Sequence, residues 1–279
     1  MMSHKMFKEF LKAFIPPIFL YFFRRIKGQK KIDVNITYEG IFHTFSEVRV
    51  AYSDANTYHT IESSNKVIAE ARESLKMLKN NLPPNDGMAL IRHNILPIFA
   101  SALGQDRLNI LDIGGGYGTV YLNCRYSCPN LEIKSTVIEL PSSILEFEKI
   151  YQEGEVDFFT TISSVIHKKF DVIYFGSSLQ YFEDFNQVLD QAASLKSKYI
   201  VITDTPMGHF KTFVCAQVNM KGNVIPRLVF SLEELTEKLS KQGYKLIHRS
   251  VNYYPFHNFD NYSHPISGAR HMNIIFEIV

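Results

Sequence analysis

From residue 108 onward the apolar positions fall into two alternating patterns. Short continuous stretches of Val, Ile, Leu and Phe read as strands buried on both faces. The segments between them repeat their apolar residues three and four apart, as amphipathic helices do. The predicted strands are Asn109–Ile113, Lys134–Glu139, Asp157–Phe159, Phe170–Phe175 and Tyr199–Thr203. Two more, Lys245–Asn252 and Met272–Val279, follow a helix over Ser231–Gln242. That helix opens on a capping pair, Ser231 with Glu234, and stops at Gly243. Strand and helix in alternation predict a parallel sheet with crossover helices. Upstream the pattern is helical. Thr44-Phe45-Ser46-Glu47 starts one helix, Glu62 to Leu82 forms a second ended by Pro83-Pro84, and Asp86 caps a third over Met88 to Leu103. The chain thus divides into an arm (1–31), a helical cover (32–106) and an α/β domain (107–279).

The chemistry concentrates where the first α/β strand meets its helix. Leu111-Asp-Ile-Gly-Gly-Gly-Tyr-Gly-Thr119 lies between the apolar Leu108–Leu111 and a helix starting over Val120 to Cys128. A strand, a glycine turn and a helix N-terminus form the nucleotide corner of a doubly wound fold. A dinucleotide fingerprint needs Gly at i, i+2 and i+5, but counting from Gly114 the last position is Thr119. The string Asp112-x-Gly114-x-Gly116-x-Gly118 resembles motif I of the class I S-adenosylmethionine (SAM) methyltransferases. It implies a Rossmann-like seven-stranded sheet whose last strand is antiparallel, with a helical N-terminal extension. Gly114, Gly115 and Gly116 then let a flat cationic ligand approach the backbone, and Asp112 sets negative charge near its ammonium or sulfonium end. Glu139, at the end of the second strand, is placed to accept both ribose hydroxyls. Gly176 and Ser177, after the fourth strand, line the methionine end, and Gln180 and Tyr181 point toward the transferring methyl. After the fifth strand Asp204 and His209 are candidates for the general base that transfer to oxygen needs, His209 because imidazole titrates near neutral pH.

Composition changes the picture at two places. The net charge of +2 argues against a nucleic-acid binder, but it is unevenly spread. Residues 1–31 hold eight Lys/Arg against one acid, a net +7, and the rest holds 22 bases against 27 acids, a net −5. Within the arm, Ala13 to Phe23 is apolar but too short to span a bilayer and broken by Pro16-Pro17. Two readings stay open: residues 5–31 dock on a membrane surface, aromatics in the interface and bases on anionic lipid, or the arm straps the catalytic domain or a second subunit of a homodimer. Three cysteines, Cys124, Cys128 and Cys215, give no paired framework and no metal spacing. They fit a reducing compartment, so the expected location is cytoplasmic, at the inner face of the membrane if the arm docks there.

Several segments together resemble one family, the SAM-dependent methyltransferases encoded among bacterial surface-polysaccharide and O-antigen genes. They are Pro16-Pro17, Gly40-Ile-Phe-His-Thr-Phe-Ser-Glu47, the glycine string, Ser178-Leu-Gln-Tyr-Phe-Glu-Asp184, Thr205-Pro206, Gln217, and Pro226 with Val229-Phe230-Ser231. The resemblance covers most of the chain and implies O-methylation of a saccharide or saccharide-linked acceptor, with SAM as donor and no metal. Asp204 stands where that family tends to carry Arg, which puts its acceptor preference in question. The competing reading is a methyltransferase-like module without catalysis, docked at a membrane complex.

Overall fold

The computed structural model describes residues 37–52, 61–84, 93–151, 154–220, 223–252 and 259–279. The N-terminal arm, Asp86 and the predicted helix start at Met88 lie outside them. Thr37–Val279 forms one compact unit.

The seven predicted strands are all present: β2 (Arg107–Ile113), β3 (Glu132–Ile138), β4 (Val156–Phe159), β5 (Val172–Gly176), β6 (Tyr199–Gly208), β9 (Tyr244–Asn252) and β10 (Arg270–Ile278). They lie in the order β4-β3-β2-β5-β6-β10-β9. The first five are mutually parallel. β10 runs antiparallel to both β6 and β9. This is the doubly wound seven-stranded arrangement that the sequence predicts, last strand reversed.

Alternation along the buried strands sends side chains into two cores. Ile173, Phe175, Ile200 and Ile202 enter one, with α1 (Phe45–Ala51), α6 (Phe185–Ser194) and α7 (Leu232–Lys241) packed over them through Val48, Leu189 and Leu235. Val172, Tyr174, Tyr199 and Val201 enter the other, under α2 (Ile61–Lys79), α3 (Ile95–Ala102), α4 (Thr119–Ser127) and α5 (Pro141–Phe147). The caps form where the sequence places them. Thr44 accepts from the Glu47 amide, and Ser231 from the Glu234 amide at 3.2 Å.

Three further strands depart from the predicted pattern. β1 (Tyr38–Phe42), inside the expected helical cover, pairs with β7 (Phe213–Met220), which forms a hairpin with β8 (Asn223–Ser231). The hairpin joins the main sheet where β8 meets the end of β6, at Met207 with Phe230 and Gly208 with Ser231. β1 is short and carries Gly40, and Pro226 sits inside β8, so neither reads as a strand by pattern. Pro226 is tolerated because β8 has only β7 beside it there.

Candidate active site

The glycine turn closes as the motif requires. Gly114, Gly116 and Gly118 all have left-handed φ, at +71°, +57° and +84°, a region that side chains disfavour. Gly118 is the N-cap of α4. Close approach adds a second constraint. A Cβ on Gly114 would lie 2.7 Å from the Ser178 Cβ, and one on Gly115 would lie 2.3 Å from the Asp112 carboxyl carbon. At Gly116 a Cβ would meet nothing within 4 Å, so this turn residue faces open space.

Two acids behave differently around the turn. Asp112 is buried beneath it against Gly115, with Oδ1 lacking a hydrogen-bond partner. Burial, with the nearby Glu139 charge, pushes its carboxyl up to about 8. Glu139 stands at the end of β3 and is bonded into the turn. Its Oε2 accepts from the Gly116 amide at 2.9 Å and its Oε1 from the Leu140 amide at 2.8 Å. The predicted cofactor residues of adjacent strands β2 and β3 are therefore physically coupled.

The loop after β5 completes this edge. Ser177 adopts φ +56°, a costly conformation for a non-glycine residue. It is held by its own amide bonding to the Thr203 carbonyl and by Gln180, whose Nε2 donates to the Ser177 carbonyl and hydroxyl. Thr205 in turn donates to the Gln180 Oε1. Ser178 donates to the Ile113 carbonyl, tying the loop to the glycine turn. Gly176 lacks a side chain because Tyr174 and His93 occupy the space: a Cβ there would lie 2.8 Å from the His93 ring. The His93 Nδ1 is 2.7 Å from the Tyr174 hydroxyl, which also bonds Thr203. Nothing in the sequence around His93 signals that its imidazole reaches the end of β5.

Of the three predicted catalytic residues, the structure links Tyr181 and Asp204 through one polar network and leaves His209 outside it. Tyr181, in the short 3₁₀ turn Leu179–Tyr181, lies in the loop after β5, and its hydroxyl donates to the Gln217 Oε1 at 3.0 Å. Asp204 is buried in a bulge where β6 slips against β10, with φ +50°. Its Oδ1 is 2.8 Å from the His271 Nδ1. Burial depresses the His271 pKa, so the ring is neutral, with Nδ1 donating to Asp204 and Nε2 accepting from the Tyr38 hydroxyl. His209 is not brought to this edge. It follows the end of β6, is 74% exposed, and pairs with Glu233 in the first turn of α7.

One buried charged group is not foreshadowed by any pattern in the sequence. Arg227, on β8, is 1% exposed. Its Nη1 donates to the Tyr38 hydroxyl at 2.8 Å and to Gln217 at 3.3 Å, and its guanidinium lies over the Tyr38 and Tyr181 rings. Tyr181, Gln217, Arg227, Tyr38, His271 and Asp204 thus form one continuous polar chain from the β5 loop into the accessory strands.

No family model matches this sequence, and no curated protein does. Among solved structures, the chain is similar to Burkholderia thailandensis 1,6-didemethyltoxoflavin-N1-methyltransferase, bound to 1,6-didemethyltoxoflavin and S-adenosylhomocysteine. Identity is 13%, with a TM-score of 0.46 over 80% of this chain and 92% of that one. It is also similar to magnesium protoporphyrin IX methyltransferase from Synechocystis PCC 6803 with bound SAH, at 11% identity and a TM-score of 0.47 over 85% of this chain and 96% of that one. A SAM-dependent methyltransferase from Methanosarcina mazei gives 16% identity and a TM-score of 0.47 over 66% of this chain and 97% of that one. All three TM-scores fall below 0.5, so the roles of individual residues rest on the geometry of this chain.

Proposed function

We propose that this chain is a SAM-dependent methyltransferase acting on a small-molecule acceptor, with transfer to a saccharide oxygen as the finer reading that the family resemblance implies. The observation that carries it is the bond between the Gly116 amide and the Glu139 carboxylate. It couples an open-faced glycine turn at the end of β2 to an acid at the end of β3, in a seven-stranded sheet with a reversed last strand. These residues fit SAM. Glu139 keeps lone pairs for ribose hydroxyls, the turn presents a backbone surface without side chains, and beneath it the Asp112 carboxyl, which burial keeps protonated, has an Oδ1 without a partner that can accept from a ligand ammonium.

When bound, SAM supplies a sulfonium methyl open to in-line displacement. The protein's own work is positioning and exclusion of water. Gly176, Ser177 and the Gln180 staple shape the loop that holds the methionine end, and Tyr181 borders the acceptor side. Asp204 is committed to His271, so it orients that ring and Tyr38 rather than receiving a proton from the acceptor.

Calorimetric titration with SAM and S-adenosylhomocysteine tests the reading, and absence of binding at millimolar ligand defeats it. Glu139→Ala is expected to weaken binding by about 1–3 kcal/mol, the scale of hydrogen bonds to a charged group. An unchanged dissociation constant removes Glu139 from the ribose site.

A further inference from the structure

Arg227 is buried in an unusual state. Arginine is almost never fully buried unless paired, and it remains protonated in proteins. Here the guanidinium has no carboxylate in direct contact among the described residues; Asp204 lies beyond Tyr38 and His271. One end is anchored, with Nη1 on Tyr38 and Gln217 and the plane over two tyrosine rings. The Nε and Nη2 atoms, also buried, have no hydrogen-bond partner. Those two N–H groups share one edge of the guanidinium, the fork that meets a carboxylate or phosphate through two parallel bonds. The fold therefore fixes the orientation of a buried cation and leaves its bidentate edge unused. Such a breach of polar satisfaction is characteristic of a site awaiting a partner.

Its place in the sheet says whose partner. Counting outward along the strands, Glu139 follows β3, the glycine turn follows β2, Gly176 ends β5 with Ser177 after it, and Arg227 is on β8 beyond β6. The cofactor residues occupy the β3, β2 and β5 ends. Arg227 lies two strands past them, linked to the β5 loop through Tyr181.

We propose that the Nε/Nη2 edge of Arg227 is the receptor for an anionic group, a carboxylate or a phosphate, carried by the methyl acceptor. This rests on the methyltransferase reading above. Tyr38 and Gln217 are its positioning residues, fixing the guanidinium through Nη1 and leaving the fork unengaged. The anion supplies the counter-charge that the buried guanidinium lacks, so neutral acceptors are discriminated against.

The test uses the full chain with S-adenosylhomocysteine present, arginine labelled with ¹⁵N, and acetate and inorganic phosphate as probes. The Arg227 Nε–H resonance is assigned by its disappearance in Arg227→Lys. The expected result is a saturable shift with acetate or phosphate that chloride at equal ionic strength does not produce, and the more effective probe identifies the anion class. In parallel the same probe raises the wild-type melting temperature, and Arg227→Lys needs roughly 10–100-fold more of it for the same rise, having lost a two-bond charged contact. No saturable shift with either probe, or a shift that chloride reproduces, overturns the proposal. So does a matching fall in S-adenosylhomocysteine affinity in Arg227→Lys, since the anion would then be the cofactor's own carboxylate. If the wild type fails to bind S-adenosylhomocysteine at all, the methyltransferase reading fails by itself, and the titration without it still decides the anion site.

Discussion

Gly115 and Asp112 show how tightly single residues are coupled at the turn. The Asp112 carboxyl occupies the volume that a Gly115 Cβ would need, and burial with the Glu139 charge raises it to about 8, against an ordinary 3.8. Over the interval between those values the folded chain keeps a proton that the unfolded chain has released. The unfolded state therefore binds fewer protons, and this contribution to stability is present at low pH and lost as pH rises toward 8. Asp112→Asn removes the titration while keeping the shape. Relative to it, the wild type is expected to lose up to about 1.4 kcal/mol per pH unit between about pH 4 and pH 8, read from urea unfolding of both proteins. A flat difference would show that Asp112 ionises freely. His271 changes stability in the opposite sense, because a buried neutral imidazole disfavours the fold as pH falls below 6.5, but it is common to both proteins and cancels. Gly114→Ala combines a left-handed φ with a 2.7 Å clash on Ser178. It should cost about 1–3 kcal/mol of stability and weaken SAM, measured by melting and calorimetry. At this scale the glycines and Glu139 were legible because spacing alone places them at adjacent strand ends. Arg227 was not, since a charged residue in a polar-interrupted segment reads as exposed. The reach of His93 is hidden too, and His209, which its place after the fifth strand makes a candidate base, belongs to a surface pair with Glu233.

Elements with one strong signal were legible in the sequence, and those built from several weak ones were not. The strand β5 and the first half of β6, Tyr199–Ile202, are apolar on both faces and declare themselves. The hairpin of β7 and β8 does not, because one of its faces interrupts apolar residues with polar ones: Gln217 and Arg227 sit among Phe213, Cys215, Ile225 and Val229, while Val214, Ala216, Leu228 and Phe230 turn to the main core. The cap of α7 shows a similar mixture. Ser231 accepts from Glu234 as predicted, but the reciprocal bond of a capping box is absent. The Ser231 amide donates instead to Thr212 at 2.9 Å, and the Glu234 carboxylate takes the Thr212 amide at 3.2 Å. The helix start is thereby tied to the turn between β6 and β7, a link that local sequence could not show. Ser231→Ala should cost about 1 kcal/mol, and Ser231→Gly only a few tenths, by urea titration. Equal losses in the two variants would mean that the serine hydroxyl does not cap the helix.

For the whole molecule the decisive quantity is how charge is divided. The arm (1–31) carries +7 and the rest of the chain −5, and among the described residues no helix is long and apolar enough to cross a membrane. An acidic body is repelled by an anionic bilayer, so any attraction must come from the arm, whose apolar Ala13–Phe23 run is flanked by Lys8, Lys12, Arg24, Arg25 and Lys27. Basic residues near such a surface contribute about 1 kcal/mol each and act within a Debye length, enough in total to hold the protein peripherally. The residues from Thr37 onward form one unit with both cores internal to it, so a variant starting at Thr37 should retain a single cooperative unfolding transition. We propose that the arm docks the protein on anionic membrane. The full chain is then expected to sediment with phosphatidylserine-containing vesicles at low salt, to be released at high salt, and to ignore phosphatidylcholine vesicles, while the variant starting at Thr37 stays in solution throughout. A full chain that remains in the supernatant, with a variant whose melting temperature falls sharply, assigns the arm instead to packing against the protein.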